Sequence, residues 1–303
     1  CLGYVGGASD NYTLDGAVSK GGNRKGEGVK IQRIIGKVLK YFSLALITLV
    51  TTGPVFLAVL TSLKSKNEVY DLGVLELPGQ LHFENYVTAF VDGNMMTGFK
   101  NTLIMVIVAL GGAIINGTMV AYVFSRFEFK GKQILKSLFL FASLVPGMTI
   151  QVMLYQMISR LGVYNTRMAG FLLYIGTDII SIYIFLQQAD SIPVSLDESA
   201  MLDGASYLAI YQKIILPLLK PAVATVAIIK GVGIYNDFYI PYQYMPKNRL
   251  RVVATALFQF RGQYGTQWEV ICAGVIITIL PILILFILLQ KYIYNGLVQG
   301  AVK

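Results

Sequence analysis

The sequence predicts an all-α, polytopic integral membrane protein with six spanning helices. Of its 303 residues, 55% are hydrophobic and only 14% are charged, which is too apolar for a soluble domain of this length. Apolar stretches recur along the chain, each about the 20 residues that a helix needs to cross a bilayer core. Such segments are helical because lipid cannot satisfy free backbone groups. The predicted spans cover residues 41–63, 101–125, 137–159, 168–189, 217–241 and 270–290.

Taken in order, the six segments differ in the residues that interrupt them. The first, second, third and sixth are uncharged throughout. Pro146 is predicted to kink the third, because proline removes a helical hydrogen bond. Asp178 interrupts the fourth segment, and Lys230 and Asp237 interrupt the fifth between Pro221 and Ile240. Charged side chains at membrane depth are costly, so these three indicate either an ion pair or a wet cavity.

The charge distribution predicts the orientation of the spans. Seven Lys or Arg residues precede the first span, and four more, from Arg126 to Lys136, separate the second from the third. The loop from Lys64 to Lys100 is acidic overall. Because Lys and Arg are enriched in cytoplasmic loops, both termini are expected in the cytoplasm. A later basic loop disagrees, but the early loops usually dominate; its residues are Lys247, Arg249, Arg251 and Arg261.

Composition also excludes several functions. The net charge of +9 does not indicate nucleic-acid binding, because the basic residues cluster at predicted membrane boundaries. No cofactor or metal site is expected, since the chain has two cysteines and one histidine. The patterns G-x-x-x-x-G-K-[ST], H-E-x-x-H and G-x-S-x-G are absent, which argues against ATP binding by this chain and against an enzyme. Residues 1–29, rich in Gly, Ser, Asn and charge, are predicted to form a flexible cytoplasmic tail.

The polar loop at 190–217, between the fourth and fifth spans, carries most of the functional information. Ser195 and Glu198 fit S-x-x-E, a capping box that predicts a helix starting after Pro193. Gly204 is suited to the left-handed conformation that ends such a helix. A second helix is predicted by an apolar face at helical spacing, formed by Tyr207, Ile210, Tyr211, Ile214 and Ile215. An amphipathic helix resting on the bilayer is the simpler alternative, but it leaves Glu198 and Gly204 unexplained.

These residues resemble the EAA loop of ATP-binding-cassette (ABC) importer permeases. The family pattern runs E-A-A, two residues, D-G-A, then about nine residues to an apolar-x-x-L-P ending. Ser199 replaces the middle alanine, and Tyr211 lies where phenylalanine is common. The residues at the expected spacings are Glu198, Ala200, Asp203, Gly204, Ala205, Ile214, Leu216 and Pro217.

Other segments resemble the carbohydrate-importing, MalG-like branch of these permeases over roughly residues 31–303. The matches are Ala121–Arg126 at the end of the second span, Leu161–Thr166 in a short turn, and Asn236–Phe238 with Pro241 near the end of the fifth span. Tyr235 replaces the tryptophan that usually precedes the Asn-Asp-Phe sequence. The last match is the C-terminal segment, from which Gly296, Gly300 and Lys303 are expected to contact the ATPases.

The resemblance implies a MetI-like, type I importer fold in the bacterial plasma membrane. The chain would be one permease half of an ATP-driven sugar (oligosaccharide) importer and would couple to its ATPase through the EAA-like loop. The implied partners are a second, MalF-like permease, on which the first helix packs, an ABC ATPase dimer that binds ATP and Mg, and an extracellular substrate-binding protein. Glu198 would pair with a basic group of the ATPase.

Two other functions remain open at this point. A secondary transporter or channel for a small polar solute explains the spans but leaves the EAA-like loop without a purpose. An intramembrane enzyme would use Asp178 and Asp237 as a carboxylate pair, although their surroundings match no protease signature. The candidates for the substrate pathway are polar and aromatic residues within the spans: Asn116, Gln151, Tyr155, Lys230, Asn236 and Asp237.

Lys230 has two competing interpretations. It is expected to face the bundle interior, where Asp237 or Asp178 would form a structural ion pair with it. Alternatively, it lines the translocation path and meets an acidic or strongly hydrogen-bonding sugar. An apolar residue is usual at this position in MalG-like permeases, so the lysine is a departure from that branch.

Overall fold

The structure is a computed structural model that describes residues 19–176, 179–262 and 265–301. Its chain divides into two compact units, Cys1–Leu57 and Ala58–Lys303. The described part is mostly helical, so the all-α class is confirmed. A two-stranded antiparallel hairpin, β1 (Arg261–Gly262) and β2 (Gly265–Thr266), is the one β element that the described residues contain, and the sequence analysis did not predict it.

Among the described residues, three helices are long and apolar enough to cross a membrane alone. They are α1 (Ser19–Ser62), α4 (Met95–Arg126) and α15 (Trp268–Ala301), and they include the predicted first, second and sixth spans except for residue 63. Helix α1 begins inside the segment that we predicted to be a flexible tail. Once the apolar helix has formed, each further residue needs only one hydrogen bond, and the helix therefore extends into the polar sequence before it.

The other three predicted spans are bent helix pairs. The third is α5 (Lys132–Leu144) followed by a 3₁₀ turn (Gly147–Ile150) and α6 (Gln151–Arg160), with a bend of 95°. The break falls at Pro146, as predicted, because proline lacks the N–H that continues a helix and restricts the residue before it. The fourth pair is α7 (Arg167–Gly176) and α8 (Ile179–Asp190).

The fifth pair bends by 70° where the loop over 190–217 enters the membrane region. Its longer part is α12 (Lys220–Asn236), and the bend lies at Leu219. Lys230 lies ten residues after Lys220, about 15 Å along α12. The shorter part consists of α10 (Tyr207–Ile210), a π turn (Tyr211–Ile215) and α11 (Leu216–Leu218), preceded by α9 (Ser195–Leu202).

Helix α4 is the centre of the larger unit and packs against α7, α8 and α12. Small buried residues recur every fourth position along it, so neighbouring backbones approach closely. At Gly117 an added Cβ would lie 2.9 Å from the Phe185 ring. At Gly112 it would lie 2.4 Å from Ile175. The small stripe consists of Ala109, Ala113, Gly117 and Ala121.

Short elements cover the end of the unit opposite to the loop over 190–217. Asn101 near the start of α4 donates from Nδ2 to the backbone oxygens of Arg249 (2.9 Å) and Arg251 (2.8 Å), which fixes the connection after α12. The elements at or near this end are α2 (Lys66–Asp71), α3 (Glu84–Val91), α13 (Tyr239–Tyr244), α14 (Val253–Ala256), the hairpin and the 3₁₀ turns Asn248–Leu250 and Leu257–Phe260.

Candidate functional site

The first helix of the EAA-like loop (residues 190–217) starts earlier than its sequence predicts. Val194, not Ser195, is the N-cap residue of α9, and no side chain caps it. The capping box of Ser195 and Glu198 is therefore wrong. Pro193 has its φ restricted to a helix-compatible value, and its carbonyl already accepts the N–H of Leu196 at 3.3 Å. Ser195 consequently lies inside the first turn.

The end of α9 has the geometry that Gly204 predicts. Gly204 has a φ of +83°, and its N–H donates to the Met201 carbonyl at 3.0 Å. The N–H of Ala205 donates to the Ala200 carbonyl at 2.9 Å. These two bonds form a Schellman motif, which satisfies the last carbonyls of the helix and reverses the chain. The D-G-A pattern with Ala200 thus specifies a backbone turn, and both alanines are half-buried beneath it.

The second helix begins with a cap that the sequence analysis overlooked. The Ser206 hydroxyl accepts the N–H of Ala209 at 3.3 Å and starts α10. The π turn then widens the helix and rotates the residues after it. Ile210 and Ile215 are fully buried, as predicted, whereas Tyr207 is 57% exposed. Leu216 is half-buried and Pro217 is exposed at the start of α11.

An aromatic and apolar cluster joins the loop to the end of α4. The Tyr211 hydroxyl lies 2.8 Å from Thr118 Oγ1, and the Tyr211 ring lies 5.6 Å from that of Tyr122. The ring of Phe127 contacts both Tyr122 (5.8 Å) and Tyr207 (5.1 Å) edge-on. Tyr211 therefore packs inside the bundle and joins the loop to α4.

A buried ion pair connects the loop to α4, and the sequence analysis missed it. Arg126 Nε donates to Asp197 Oδ2 at 2.7 Å, and the two side chains are only 7% and 6% exposed. The same guanidinium donates to the backbone oxygens of Ala189 (3.3 Å) and Ile192 (2.9 Å) at the end of α8. Arg126 thus fastens α8 and α9 to α4. The missed signal was a basic residue at the end of a span, which needs a carboxylate if it is buried.

Exposed acidic and apolar side chains follow the buried Asp197 along α9. Glu198, one residue after Asp197, and Asp203, at the end of the helix, are exposed. Between them Met201 is 41% exposed and Leu202 is 90% exposed. A large apolar side chain beside carboxylates on a rigid turn is typical of a protein-docking surface. We call this surface, formed by these four residues, the docking face.

The pathway candidates Lys230, Asn236 and Asp237 meet at a second site. Together with Tyr174 they line a shallow, open pocket of about 360 Å³ near the end of α12, which we call the polar cavity after these four side chains. Tyr174 donates its hydroxyl hydrogen to Asp237 Oδ2 at 2.9 Å. Asp237 Oδ1 accepts the N–H of Tyr239 (2.7 Å) and of Ile240 (3.2 Å). The Asp237 carboxylate therefore caps α13, a role that the sequence analysis did not predict, and Asp178 lies outside the described residues.

The other pathway candidates do not join this cavity. Gln151 Oε1 accepts a hydrogen bond from the Tyr244 hydroxyl at 2.9 Å, and both residues line a larger, mainly apolar cavity of about 690 Å³ beside the bend at Pro146. Tyr155 packs its ring 5.3 Å from that of Tyr164. Asn116 lies exposed on α4, apart from both cavities. Gly296 and Gly300 lie in α15, and Lys303 falls outside the described residues.

Comparison with known proteins assigns the chain to a family. The family described as "Binding-protein-dependent transport system inner membrane component" matches residues 113–299. A probable starch degradation products transport system permease (AmyC) from Thermoanaerobacterium thermosulfurigenes is 32% identical over 272 residues, covering 89% of this chain and 98% of that relative. The trehalose/maltose transport system permease MalG from Thermococcus litoralis is 32% identical over 224 residues, covering 73% and 81%.

Solved structures support the predicted fold. A chain from a bacterial ABC transporter involved in the import of the acidic polysaccharide alginate matches with a TM-score of 0.73 at 21% identity, covering 86% of this chain and 96% of that one. The relatives are transport subunits and not enzymes. On these grounds, the chain belongs to the inner membrane components of binding-protein-dependent transport systems, the permeases of ABC importers.

Proposed function

We propose that this permease forms half of the translocation pathway of an ATP-driven oligosaccharide importer and couples to its ATPase through the docking face. The supporting observation is the construction of the EAA-like loop. The Schellman turn at Gly204 and the ion pair of Arg126 with Asp197 hold α9 rigidly, while Leu202 stays 90% exposed. The names of the relatives, a starch-product permease and a trehalose/maltose permease, favour a sugar as substrate.

The partners follow from this proposal. A second, MalF-like permease completes the pathway, and a dimeric ABC ATPase binds ATP and Mg. An extracellular substrate-binding protein delivers the sugar. When the ATPase dimer closes, α9 moves with it, and the rigid link from Asp197 through Arg126 transmits the movement to α4. Glu198 pairs with a basic group of the ATPase, and residues Gly296 to Lys303 contact the ATPase at the C-terminus.

Two side chains of the polar cavity bear on the chemistry of the substrate. Lys230 and Asn236 line the polar cavity within the span region, where ionisable side chains mark substrate and ion pathways. We assign Lys230 to the translocation path, where it contacts an acidic or strongly hydrogen-bonding sugar. A purely structural ion pair of Lys230 is the alternative.

Reconstitution tests the function. The permease pair, the ATPase and the binding protein are placed in proteoliposomes, and uptake of labelled neutral and acidic oligosaccharides is measured with and without internal or external ATP. We expect uptake that requires ATP on the side of the docking face, with ATP hydrolysis stimulated by the loaded binding protein. Uptake driven by an ion gradient without ATP would instead indicate a secondary transporter.

A reporter that is active only in the cytoplasm tests the orientation. With both termini inside, it should work when fused after Lys132 or Gly204 and fail after Gly79 or Gly262. Activity at Gly262 would show that the basic residues near it overrule the early loops, and the predicted orientation would then be wrong.

A further inference from the structure

Three exposed aromatic rings form a cluster just after α12. The Phe238 and Tyr242 rings are stacked with centroids 5.0 Å apart, and the Phe258 ring lies 5.6 Å from Phe238 and 5.0 Å from Tyr242. Their side chains are 37%, 46% and 38% exposed, respectively. We call these three residues the aromatic platform. The three rings form one contiguous patch, because the centroid of each lies within 5.6 Å of the other two.

The platform is held rigidly from beneath. Phe238 and Tyr242 lie one turn apart, and Asp237 Oδ1 caps α13 through the N–H groups of Tyr239 and Ile240. The same helix is anchored by Tyr244, which is only 1% exposed. Phe258 lies in the adjoining 3₁₀ turn (Leu257–Phe260), two residues after the buried Ala256. The rings are therefore exposed on a fixed support, which is a property of a preformed ligand site.

Polar groups surround the rings. The Arg261 guanidinium lies over the Phe258 ring at 5.6 Å from its centroid, where a cation is attracted by the ring face. On the other side Asn236 is exposed and lines the polar cavity with Lys230. Asn236, Asp237 and Phe238 are consecutive, so the platform starts one residue after two of the residues that line the polar cavity. A hydrophobic protein helix covering this area would desolvate Arg261 and Asn236 without satisfying them.

A sugar ring matches this combination of surfaces. The axial C–H groups of a pyranose form an apolar face, while its hydroxyl groups extend from the rim and need hydrogen-bond partners. We propose that the aromatic platform is a sugar-stacking subsite, which holds one pyranose ring of an oligosaccharide next to the polar cavity. Arg261 and Asn236 hydrogen-bond the hydroxyl or carboxylate groups of that sugar. This inference rests on the proposed function, which does not itself assign a sugar contact to the platform.

The test uses the complete importer in proteoliposomes with saturating, loaded binding protein. The probes are maltotriose, a neutral trisaccharide, and trigalacturonic acid, an acidic one. Four forms are compared: the wild type, the double variant Tyr242→Ala/Phe258→Ala, the conservative variant Phe258→Trp, and Phe90→Ala. Phe90 is a matched control because it is 36% exposed and lies outside the platform. Uptake rate, recovery of the whole complex and affinity of the loaded binding protein are measured for each form.

We expect the double variant to import the better probe about tenfold more slowly, because each of the two lost aromatic contacts is worth roughly a factor of three. Complex recovery and binding-protein affinity should stay at the wild-type level. Phe258→Trp, which keeps an aromatic face, and Phe90→Ala should transport normally.

Each other outcome overturns the subsite in a distinguishable way. Loss of the second permease from the double variant would make the platform a subunit interface, and weakened binding-protein affinity would make it a docking surface for that protein. Normal uptake by the double variant would refute the subsite while the proposed function stands. If the wild type imports neither probe and its ATPase is not stimulated, the proposed function and the subsite both fail.

Discussion

The EAA-like loop and the polar cavity are stabilised by contacts of different range. In the loop, the turn that shapes the docking face closes through hydrogen bonds between residues three to five apart, from Gly204 to Met201 and from Ala205 to Ala200. At the polar cavity, the Tyr174 hydroxyl bonds to Asp237 across 63 residues, and in the larger apolar cavity Tyr244 bonds to Gln151 across 93. The local shape of the loop is therefore readable from a short sequence pattern, whereas the cavity depends on the assembled bundle.

The Arg126–Asp197 ion pair is an exception to this difference between a locally stabilised loop and a cavity that depends on long-range contacts. It joins residues 71 positions apart, yet it supports the loop rather than the cavity. A loop with correct local geometry would transmit no movement unless it were attached to the spans. The comparison therefore suggests a division of roles, in which local bonds shape the docking face and the long-range ion pair couples it to α4.

The largest expected effect follows from removing that attachment. Arg126→Leu leaves the Asp197 carboxylate buried without its cation, which costs roughly 3–5 kcal/mol in the free energy of unfolding. Asp197 Oδ1 already has no hydrogen-bond partner among the described residues, so no second group compensates. We expect a strongly reduced yield of folded complex and a lower midpoint in thermal unfolding.

Two variants control this prediction. Arg160→Leu removes an exposed arginine and should leave the unfolding midpoint close to that of the wild type. The double variant Arg126→Met/Asp197→Leu removes both buried charges and should recover part of the lost stability. An Arg126→Leu variant as stable and active as the wild type would mean that the loop is held by its local bonds alone.

The next effect concerns the local turn. Gly204 has a φ of +83°, which costs a residue with a β-carbon roughly 1 kcal/mol or more. An added Cβ would meet no atom within 4 Å, so the penalty comes from the backbone and not from a clash. We expect Gly204→Val to insert normally but to lose ATPase attachment and uptake. Gly204→Asn should retain much of both, because asparagine tolerates this conformation.

Gly111→Val is the control for the added volume. Gly111 also has open space around its Cβ position, but its φ is not positive, and uptake should persist. In the same assay Glu198→Lys should abolish uptake by reversing the charge of the docking face. Normal uptake in both Gly204→Val and Glu198→Lys would contradict the coupling role of the loop.

The difference between local and long-range contacts explains which features of the structure could be predicted from the sequence. The spans follow from apolar length, the bend at Pro146 from the missing N–H, and the Gly204 turn from its conformational freedom. The cap at Val194 was missed because Pro193 can start a helical turn itself, which the S-x-x-E pattern does not reveal. The partners of Asp197 and Asp237 were missed because a single sequence does not show which distant segments meet. For the same reason Gln151, Tyr155 and Asn116 were grouped with Lys230 but lie apart from it.

A smaller effect is expected in the polar cavity. Lys230→Met removes the cation from the cavity wall while keeping a long, flexible side chain. We expect uptake of an acidic trisaccharide to fall about tenfold, the loss of one good charged contact, with normal recovery of the complex. Lys220→Met, which removes an exposed lysine of the same helix, is the control. Loss of folded complex in Lys230→Met would support the structural ion pair, and unchanged uptake would defeat the pathway role.

The smallest expected effect concerns α2, which starts with a capping box. A box of the same kind was predicted for α9 in the EAA-like loop, but α9 has no side-chain cap. Glu68 accepts the N–H of Ser65 at 2.7 Å and that of Gly79 at 2.9 Å. These backbone hydrogen bonds lower the pKa of the Glu68 carboxyl below its ordinary value. A lowered pKa means that the stabilisation is complete above the ordinary pKa and is lost as the pH falls through the lowered one.

Glu68→Gln should therefore reduce protection from amide hydrogen exchange at Ser65 and Gly79 at neutral pH. The wild type should show the same loss only in the acid range, and global unfolding should change little because the carboxylate is solvated. Asp71→Asn removes another carboxylate of the same short helix, has no part in the capping box, and serves as the control. Equal protection in Glu68→Gln and the wild type at neutral pH would show that this box, like the predicted one at Ser195, does not govern where its helix starts.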